Sequence, residues 1–259
     1  MTHGKIFIGT GGWTFAPWRG VFYPDKLTQR RELEFASREF SSIEINGTYY
    51  STFEPATFAK WRNETPDGFV FSVKAARYCT NRKQLAGAGD SIAHFVGQGL
   101  HELGDRLGPI NWQFMETKHF DPEDFEKFLK LLPKEIAGRP LRHALEVRHP
   151  SFEDARFYDL ARHYKAAIVF ADSDKFPAID AATADFVYAR LMRTKDELAT
   201  GYSAEDLDRW AKRTKEWAKR GDAFVYFISG AKIRNPAAAR ALIRREAGTA
   251  AIDSEVRPC

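Results

Sequence analysis

Cysteine and long apolar runs are both scarce in this chain. Its 259 residues include only two cysteines, Cys79 and Cys259, and the second is the last residue. Two such cysteines exclude a disulfide framework and a structural zinc site built on cysteine. No apolar run approaches the roughly 20 residues of a membrane-spanning helix, and the first residues do not form a signal peptide. We therefore expect a reduced, cytoplasmic, soluble protein with no membrane partner.

Charge of one sign is not in large excess either. Lysine and arginine number 39 against 35 aspartates and glutamates, which gives a formal net charge of +4. This mild excess does not identify a nucleic-acid binder, because such a protein needs its basic residues clustered on one surface. Aromatic residues make up 14% of the chain, a content that argues against disorder.

Eight short runs rich in Val, Ile, Phe and Tyr alternate with segments of helical periodicity. The runs predict strands at 5–9, 42–46, 69–74, 109–114, 143–148, 167–172, 186–191 and 223–228. The periodic segments predict helices at 30–40, 55–62, 90–107, 121–132, 152–164, 203–219 and 235–245. This alternation predicts parallel strands with crossover helices. We expect an α/β fold, a single-domain (β/α)8 TIM-like barrel over 1–246, followed by a C-terminal tail at 247–259.

One unit of the predicted barrel is too short for a full helix. Only residues 173–185 separate the sixth and seventh strands, and Pro177 lies within them. We therefore expect a degenerate unit there. The connections at 11–29 and 75–89, after the first and third strands, are long, and long connections of this kind are often functional.

Polar side chains occupy the inward positions of at least five predicted strands. Side chains alternate between the two faces of a strand, so a residue next to a helix-facing apolar side chain faces the barrel interior. The polar residues at the ends of the strands are Glu44, Asn46, Lys74, Gln113, Glu146, Arg148, Asp172 and Arg190. Active sites of β/α barrels are built from the carboxyl ends of the strands. The sequence therefore predicts a polar site at that mouth.

Three cations are expected in this mouth. Arginine offers a fork that matches phosphate or carboxylate and lysine offers a point charge, so Lys74, Arg148 and Arg190 predict a small anionic ligand. Glu44 or Glu146 would be the acid or base, and Lys74 an electrophilic partner or, with a lowered pKa, a Schiff-base amine. An alternative is that the charged set forms an ionic network that only closes the barrel.

Aromatic residues follow the first two strands. Trp13 and Tyr49 stand nearest to the strand ends, and we expect both, with His149 just past the fifth strand, to line the ligand site. Such rings also stack on nucleic-acid bases. Together with the basic loop 77–83, they leave a second function open, that of a barrel that binds or processes DNA or RNA.

Histidine is too scarce to suggest a metal cluster. The chain has 7 histidines and no His-x-x-x-His pair, so we assign no metal and no cofactor. A single Mg²⁺ held by Glu44, Glu146 and Asp172 remains an alternative, and the neighbouring cations argue against it. The two glutamates also leave glycoside hydrolysis open. The sequence does not indicate an oligomeric state.

A set of local motifs is distinctive when taken together. They are Ile8-Gly9-Thr10-Gly11-Gly12-Trp13, Trp18-Arg19-Gly20-Val21-Phe22-Tyr23-Pro24, Ile43-Glu44-Ile45-Asn46-Gly47-Thr48-Tyr49-Tyr50, Phe71-Ser72-Val73-Lys74, Glu146-Val147-Arg148-His149-Pro150-Ser151-Phe152 and Tyr226-Phe227 with Asn235, Ala237 and Ala238. Over roughly residues 5–245 they resemble the domain-of-unknown-function 72 family, also called YecE-like. The resemblance implies a TIM-like barrel and no established activity. Some structures of that family have been likened to AP-endonuclease-type barrels, which implies DNA as a ligand.

Three connections depart from the pattern of that family. Met115-Glu116-Thr117 stands where Pro-Pro is common, and Arg190-Leu191-Met192-Arg193 stands where Arg-(Leu/Phe)-His-Gly is common. Ile228-Ser229 stands where a double Asn often follows the last strand. No role that depends on those connections is carried over to this chain.

Overall fold

A parallel β-sheet forms the centre of the molecule. The computed structural model describes residues 3–248. The strands are β1 (Ile6–Gly11), β2 (Ser42–Ile45), β3 (Val70–Lys74), β4 (Leu107–Gln113), β5 (His143–Glu146), β6 (Ala167–Ile168), β7 (Phe170–Asp172), β8 (Phe186–Leu191) and β9 (Asp222–Phe227). Their order in the sheet is β6-β5-β4-β3-β2-β1-β9-β8-β7. The predicted strands are thus all present, with ends shifted by at most two residues.

One segment of the chain closes this sheet into a barrel. The strands β6 and β7 stand at opposite ends of the order, yet only Val169 separates them in sequence. Strand β6 pairs with β5, and β7 pairs with β8. The Val169 amide donates to the Leu145 carbonyl at 3.0 Å. The nine strands therefore occupy the eight positions of a TIM-like barrel, which confirms the predicted fold.

Helices cover the outside of the barrel. They are α1 (Glu32–Glu39), α2 (Gly47–Tyr50), α3 (Pro55–Glu64), α4 (Arg77–Thr80), α5 (Gly89–Gly97), α6 (Pro122–Leu131), α7 (Ala155–His163), α8 (Ala204–Ala218) and α9 (Asn235–Glu246). Short 3-10 turns lie at Ala16–Trp18, Gln29–Arg31, Leu85–Gly87, Leu100–Arg106, Pro150–Phe152 and Lys232–Arg234, and Glu135–Ile136 pairs with Arg139–Pro140. Asp121 and Ser203 cap α6 and α8 with their side-chain oxygens. Within residues 3–248, no helix has the length and apolar character needed to span a membrane.

The predicted helix at 90–107 is wrong as a single element. Helix α5 ends at Gly97, and a separate 3-10 segment, Leu100–Arg106, follows it. Gly99 between them adopts a left-handed conformation with φ of 111°, which no continuous right-handed helix contains. The break turns the chain so that Leu100 and Leu103 are both fully buried.

The segment 173–185 forms no helix, as predicted, and an irregular chain with several bends takes its place. The Thr183 hydroxyl accepts a hydrogen bond from the Ile168 amide at 3.2 Å and donates one to the Ala166 carbonyl at 2.7 Å. This side chain therefore holds the segment against the closing strand. The predicted tail at 247–259 lies almost entirely outside the described residues.

The barrel interior is layered from apolar to charged. At the amino ends of the strands, the rings of Phe7 and Phe224 stack at 4.8 Å. Above them, the hydroxyls of Tyr188 and Tyr226 lie 2.6 and 2.7 Å from those of Ser72 and Ser42. Ionised side chains come next, and the interior therefore becomes polar toward the carboxyl ends of the strands.

Candidate functional site

A buried arginine joins two carboxylates across the barrel. The Nη1 atom of Arg190 donates to the two Glu146 oxygens at 2.6 and 2.7 Å, and its Nη2 atom donates to Glu44 Oε1 at 3.1 Å. Asn111 Nδ2 bridges the same two carboxylates at 3.1 and 3.0 Å. All four side chains are almost fully buried. We call Glu44, Asn111, Glu146 and Arg190 the floor network.

Further donors leave the Glu146 carboxylate fully occupied. Gln113 Nε2 donates to it at 2.8 Å and Arg148 Nη2 at 2.8 Å. Burial would raise the pKa of Glu146, but Arg190, Arg148 and Lys74 outweigh burial and hold that pKa well below its usual range. Glu44 also accepts from the Tyr188 hydroxyl. Glu146 therefore stays ionised and orients the two arginines.

A cavity of about 680 Å³ opens above the floor network. Residues after β1, β2 and β9 form its walls together with the ends of β3, β4, β5 and β8. Its lining comprises Gly11, Gly12, Trp13, Thr14, Ile45, Asn46, Gly47, Tyr50, Phe53, Trp61, Lys74, Gln113, Arg148, Arg190, Ile228, Ser229, Lys232 and Asn235. Among the described residues, this lining includes four cations and no carboxylate. The wall of the cavity is therefore basic.

Lys74 lies at the edge between the floor network and the cavity. It is only 7% exposed, and its Nζ atom stands 4.4 Å from the centre of the Tyr49 ring. Burial lowers the pKa of Lys74 to about 8, and the charge of Arg190 acts in the same direction against the pull of Glu146 and Glu44. This ammonium group therefore gives up its proton far more easily than that of an ordinary lysine.

One side of the cavity is aromatic. Trp13 meets Trp61 edge to face at 5.1 Å, and Phe53 packs on Trp61 at 5.2 Å. The Tyr50 side chain stands at the rim and is 67% exposed. Of these four rings, the sequence pointed only to Trp13. The same cavity thus has an aromatic wall and several cations, an arrangement suited to a ligand with one charged and one less polar end.

The last connection supplies cavity residues that the sequence analysis missed. Lys232 and Asn235 follow β9, and the Lys232 carbonyl accepts from Trp18 Nε1 at 2.9 Å. This bond ties the connection after β1 to the one after β9. Ser229 has φ of 66°, a conformation rare outside glycine, and such strain is often found at functional sites. The sequence offered one indication that Lys232 lies at the cavity, namely its position after the last predicted strand.

Besides Glu44 and Glu146, three residues expected in the site lie outside the cavity lining. Asp172 accepts from Arg193 at 2.7 Å and from Tyr202 at 2.8 Å, in a separate ion pair beside the mouth. The Nδ1 atom of His149 lies 2.9 Å from Ser151 Oγ. Tyr49 forms the surface under Lys74 and does not line the cavity itself. Asn46, Gln113, Arg148 and Arg190 do line it, with Trp13 and Lys74.

The three carboxylates considered for a magnesium ion do not come together. Glu44 and Glu146 share Arg190, whereas Asp172 is bound by Arg193. Across the described part of the chain, no three His, Cys, Asp or Glu side chains are grouped so that they could hold a metal ion.

Fold and site together define a single-domain β/α barrel with a basic cavity at the carboxyl ends of its strands. The family described as "Protein of unknown function DUF72" matches residues 7–257, and the chain belongs to this family.

Two curated relatives carry family names without an activity. The UPF0759 protein YecE of Escherichia coli K12 is 29% identical over 150 residues, which cover 57% of this chain and 50% of that protein. The UPF0759 protein YunF of Bacillus subtilis is 30% identical over 159 residues, 60% of this chain and 54% of that protein. The aligned region thus spans about half the length of these relatives.

Solved structures of the same family share the fold. A DUF72 family protein of Thermotoga maritima superposes with a TM-score of 0.75 at 23% identity, covering 93% of this chain and 98% of that one. A DUF72 family protein of Enterococcus faecalis gives 0.70 at 15% identity, covering 96% and 99%. At these identities the likeness establishes the barrel and nothing about its ligand.

Proposed function

We propose that this protein binds a small anionic metabolite, bearing a phosphate or a carboxylate, in the cavity at the mouth of its barrel. The observation that carries the proposal is the charge of the lining. Lys74, Arg148, Arg190 and Lys232 face the cavity, and no described carboxylate does. With Glu44 and Glu146 beneath them, the formal excess is two positive charges, which suits an anion.

The arginines are already oriented for such a ligand. Glu146 binds Arg148 and Arg190, so their guanidinium groups lose little conformational freedom when an anion arrives. The Nε atom of Arg190 is buried and has no hydrogen-bond partner among the described residues. Because a buried donor without a partner is costly, a ligand oxygen would relieve it. Glu44 and Glu146 act here as positioning residues, and Lys74 is the group suited to proton transfer.

Nucleic acid is the second candidate, and the exposed Tyr50 ring at the rim favours it. The basic loop after β3 gives less support than its composition indicated. Arg82 donates to the Ser91 hydroxyl and to the Tyr78 carbonyl, so it holds its own loop together. A small anion therefore accounts better for the cavity. Binding of single-stranded DNA that weakens steeply with salt would reverse this order.

Removing one cavity arginine is expected to weaken anion binding by about tenfold, the equivalent of about 1.4 kcal/mol. Calorimetric titration of sulfate into wild type and Arg148→Met measures this. Methionine keeps most of the length of the side chain but loses the guanidinium, whose carbon stands 4.5 Å from the centre of the Phe176 ring. Lys212→Ala on the outer face of α8 removes the same charge and should leave the affinity unchanged. Equal affinity in both variants, or no sulfate binding by the wild type, would contradict the proposal.

Sulfate affinity is expected to fall as the pH rises above about 8. Burial lowers the pKa of Lys74 to about 8, and only the ammonium form attracts an anion. Between roughly pH 7 and 9.5 the affinity should therefore drop by about tenfold, while sulfate itself keeps its charge. Lys74→Arg keeps its charge throughout this range and should abolish the pH dependence. A wild-type affinity that stays flat up to the highest pH would exclude Lys74 from the anion site.

A further inference from the structure

We propose that Lys74 forms an imine with a small carbonyl compound that also carries a carboxylate or a phosphate. This inference rests on the proposed function, because the anionic group must be held in the same cavity. It adds a reaction to what would otherwise be a binding site.

The Lys74 side chain is confined, accessible from the cavity and not engaged by an acceptor. It ends β3 next to Asn111 of β4 and lines the cavity. Throughout residues 3–248, no oxygen accepts a hydrogen bond from its Nζ atom, whose described neighbour is the face of the Tyr49 ring. Arg148 and Arg190 differ, since carboxylates hold both. An amine without an acceptor is free to turn toward a bound molecule.

An amine must be neutral to attack a carbonyl carbon, and this site favours the neutral form. Burial lowers the pKa of Lys74 to about 8, helped by the charge of Arg190. A desolvated lysine beside another cation is a recognised way to make a nucleophilic amine near neutral pH. The other cavity lysine, Lys232, also has its pKa lowered by burial, but it stands over the Phe15 ring at the rim. Of these two lysines, Lys74 is the one that lies at the edge of the floor network.

The two arginines would bind the charged end of the substrate. Arg190 and Arg148 both touch Glu146 and both line the cavity, so an anion bound there lies beside Lys74 at the floor. The volume of about 680 Å³ falls within the usual range for small-molecule sites. A carbonyl close to the anionic group of the substrate would then face the amine.

The step balances without a further reactant. The neutral amine attacks the carbonyl carbon, a C–N bond forms, and the electron pair of the C=O bond moves to oxygen. A proton passes from nitrogen to that oxygen and gives the carbinolamine. The carbinolamine hydroxyl takes up a proton from solvent, the C–O bond breaks with loss of water, and the nitrogen lone pair forms the C=N bond of the iminium. Addition of water reverses the sequence and releases Lys74.

Reductive trapping tests the proposal on the intact chain. The protein is incubated with sodium cyanoborohydride and with pyruvate, dihydroxyacetone phosphate or neutral acetone, and the adduct is located by peptide mass mapping. We expect one adduct, on Lys74, formed about tenfold more readily with the anionic probes than with acetone, since anion binding of about 1.4 kcal/mol gives that factor. Comparison of pyruvate with dihydroxyacetone phosphate tells a carboxylate substrate from a phosphate one.

Two variants accompany the wild type. Lys74→Arg should form no adduct, because arginine keeps the charge and is not nucleophilic at these pH values. Lys212→Arg on the outer helix should react like the wild type. The mapping of the wild type needs no variant, so the test stands even if a substituted chain is unstable.

The inference is overturned if no adduct forms, if the label spreads over exposed lysines or lies on Lys232, or if acetone reacts as readily as the anions. Sulfate titration on the same preparation separates the two proposals. Sulfate binding without an adduct would refute the imine proposal alone. The absence of both sulfate binding and an adduct would refute the anion site as well.

Discussion

Replacing Arg190 by methionine is expected to lower the free energy of unfolding by about 3–5 kcal/mol at neutral pH. Arg190 is 2% exposed and is bound to two buried carboxylates. Methionine fills much of the volume but removes the cation that lies between Glu44 and Glu146, so that Glu146 keeps only the ion pair with Arg148. Uncompensated buried charges are among the most destabilising consequences of a single substitution. Urea unfolding followed by circular dichroism measures the loss.

The pH dependence of that loss separates charge from packing. In the wild type, the pKa of Glu146 is depressed, so the stability that it contributes is present at neutral pH and declines as the pH falls toward its folded pKa. Without Arg190 this pKa rises, and protonation relieves the variant first. The difference between the two proteins should therefore shrink toward about pH 4. Arg156→Met, which removes an exposed partner of Asp154, should leave the free energy of unfolding almost unchanged. A constant difference at every pH would mean that packing dominates.

Replacing Gly9 by alanine is expected to destabilise the barrel by about 3 kcal/mol or to prevent folding. Gly9 of β1 lies beside Ser42 of β2 and Tyr226 of β9 in the strand register. A Cβ atom at Gly9 would overlap the carbonyl oxygen of Ser42. The obstacle is backbone, and moving it would separate two strands of the barrel. Soluble yield and thermal unfolding of the purified variant report the outcome.

Gly97→Ala is the matched control for this prediction. Gly97 ends α5, and a Cβ atom there would meet no atom within 4 Å. Alanine is favoured over glycine in a helix by up to about 1 kcal/mol, so this variant should be as stable as the wild type or slightly more so. If Gly9→Ala unfolds at the same temperature as Gly97→Ala, the barrel tolerates a side chain at the junction of β1 and β2.

Much of the fold could be predicted because strand and helix periodicities in this chain are strong. The alternation in 43–46 and 188–190 placed Glu44 and Arg190 on the inner face, where the structure has them. The break at Gly99 could not be predicted, since apolar spacing continues through it and only the backbone conformation of glycine ends the helix. The division of the predicted strand 167–172 into β6 and β7 at Val169 could not be predicted either, because the apolar run continues through it.

The sequence could predict which side chains of the candidate site point into the barrel, but not how deep in the barrel each one lies. Alternation shows that Glu44, Lys74 and Glu146 point inward, but all three patterns look alike in the sequence. In the structure, Lys74 lines the cavity, whereas both glutamates lie beneath it and are occupied by Arg190. Trp61 enters the site from the outer helix α3, and nothing in local spacing indicates which helix residue reaches over a barrel mouth.

The segment 173–185 connects barrel closure with the cavity. Thr183 binds the backbone on both sides of β6, and Phe176 of the same segment packs on the guanidinium of Arg148. The closing strand and a cavity arginine therefore share one support. By thermodynamic reciprocity, an anion that fixes Arg148 would also tighten the closure of the barrel, and a looser closure would weaken the hold on the anion to the same extent.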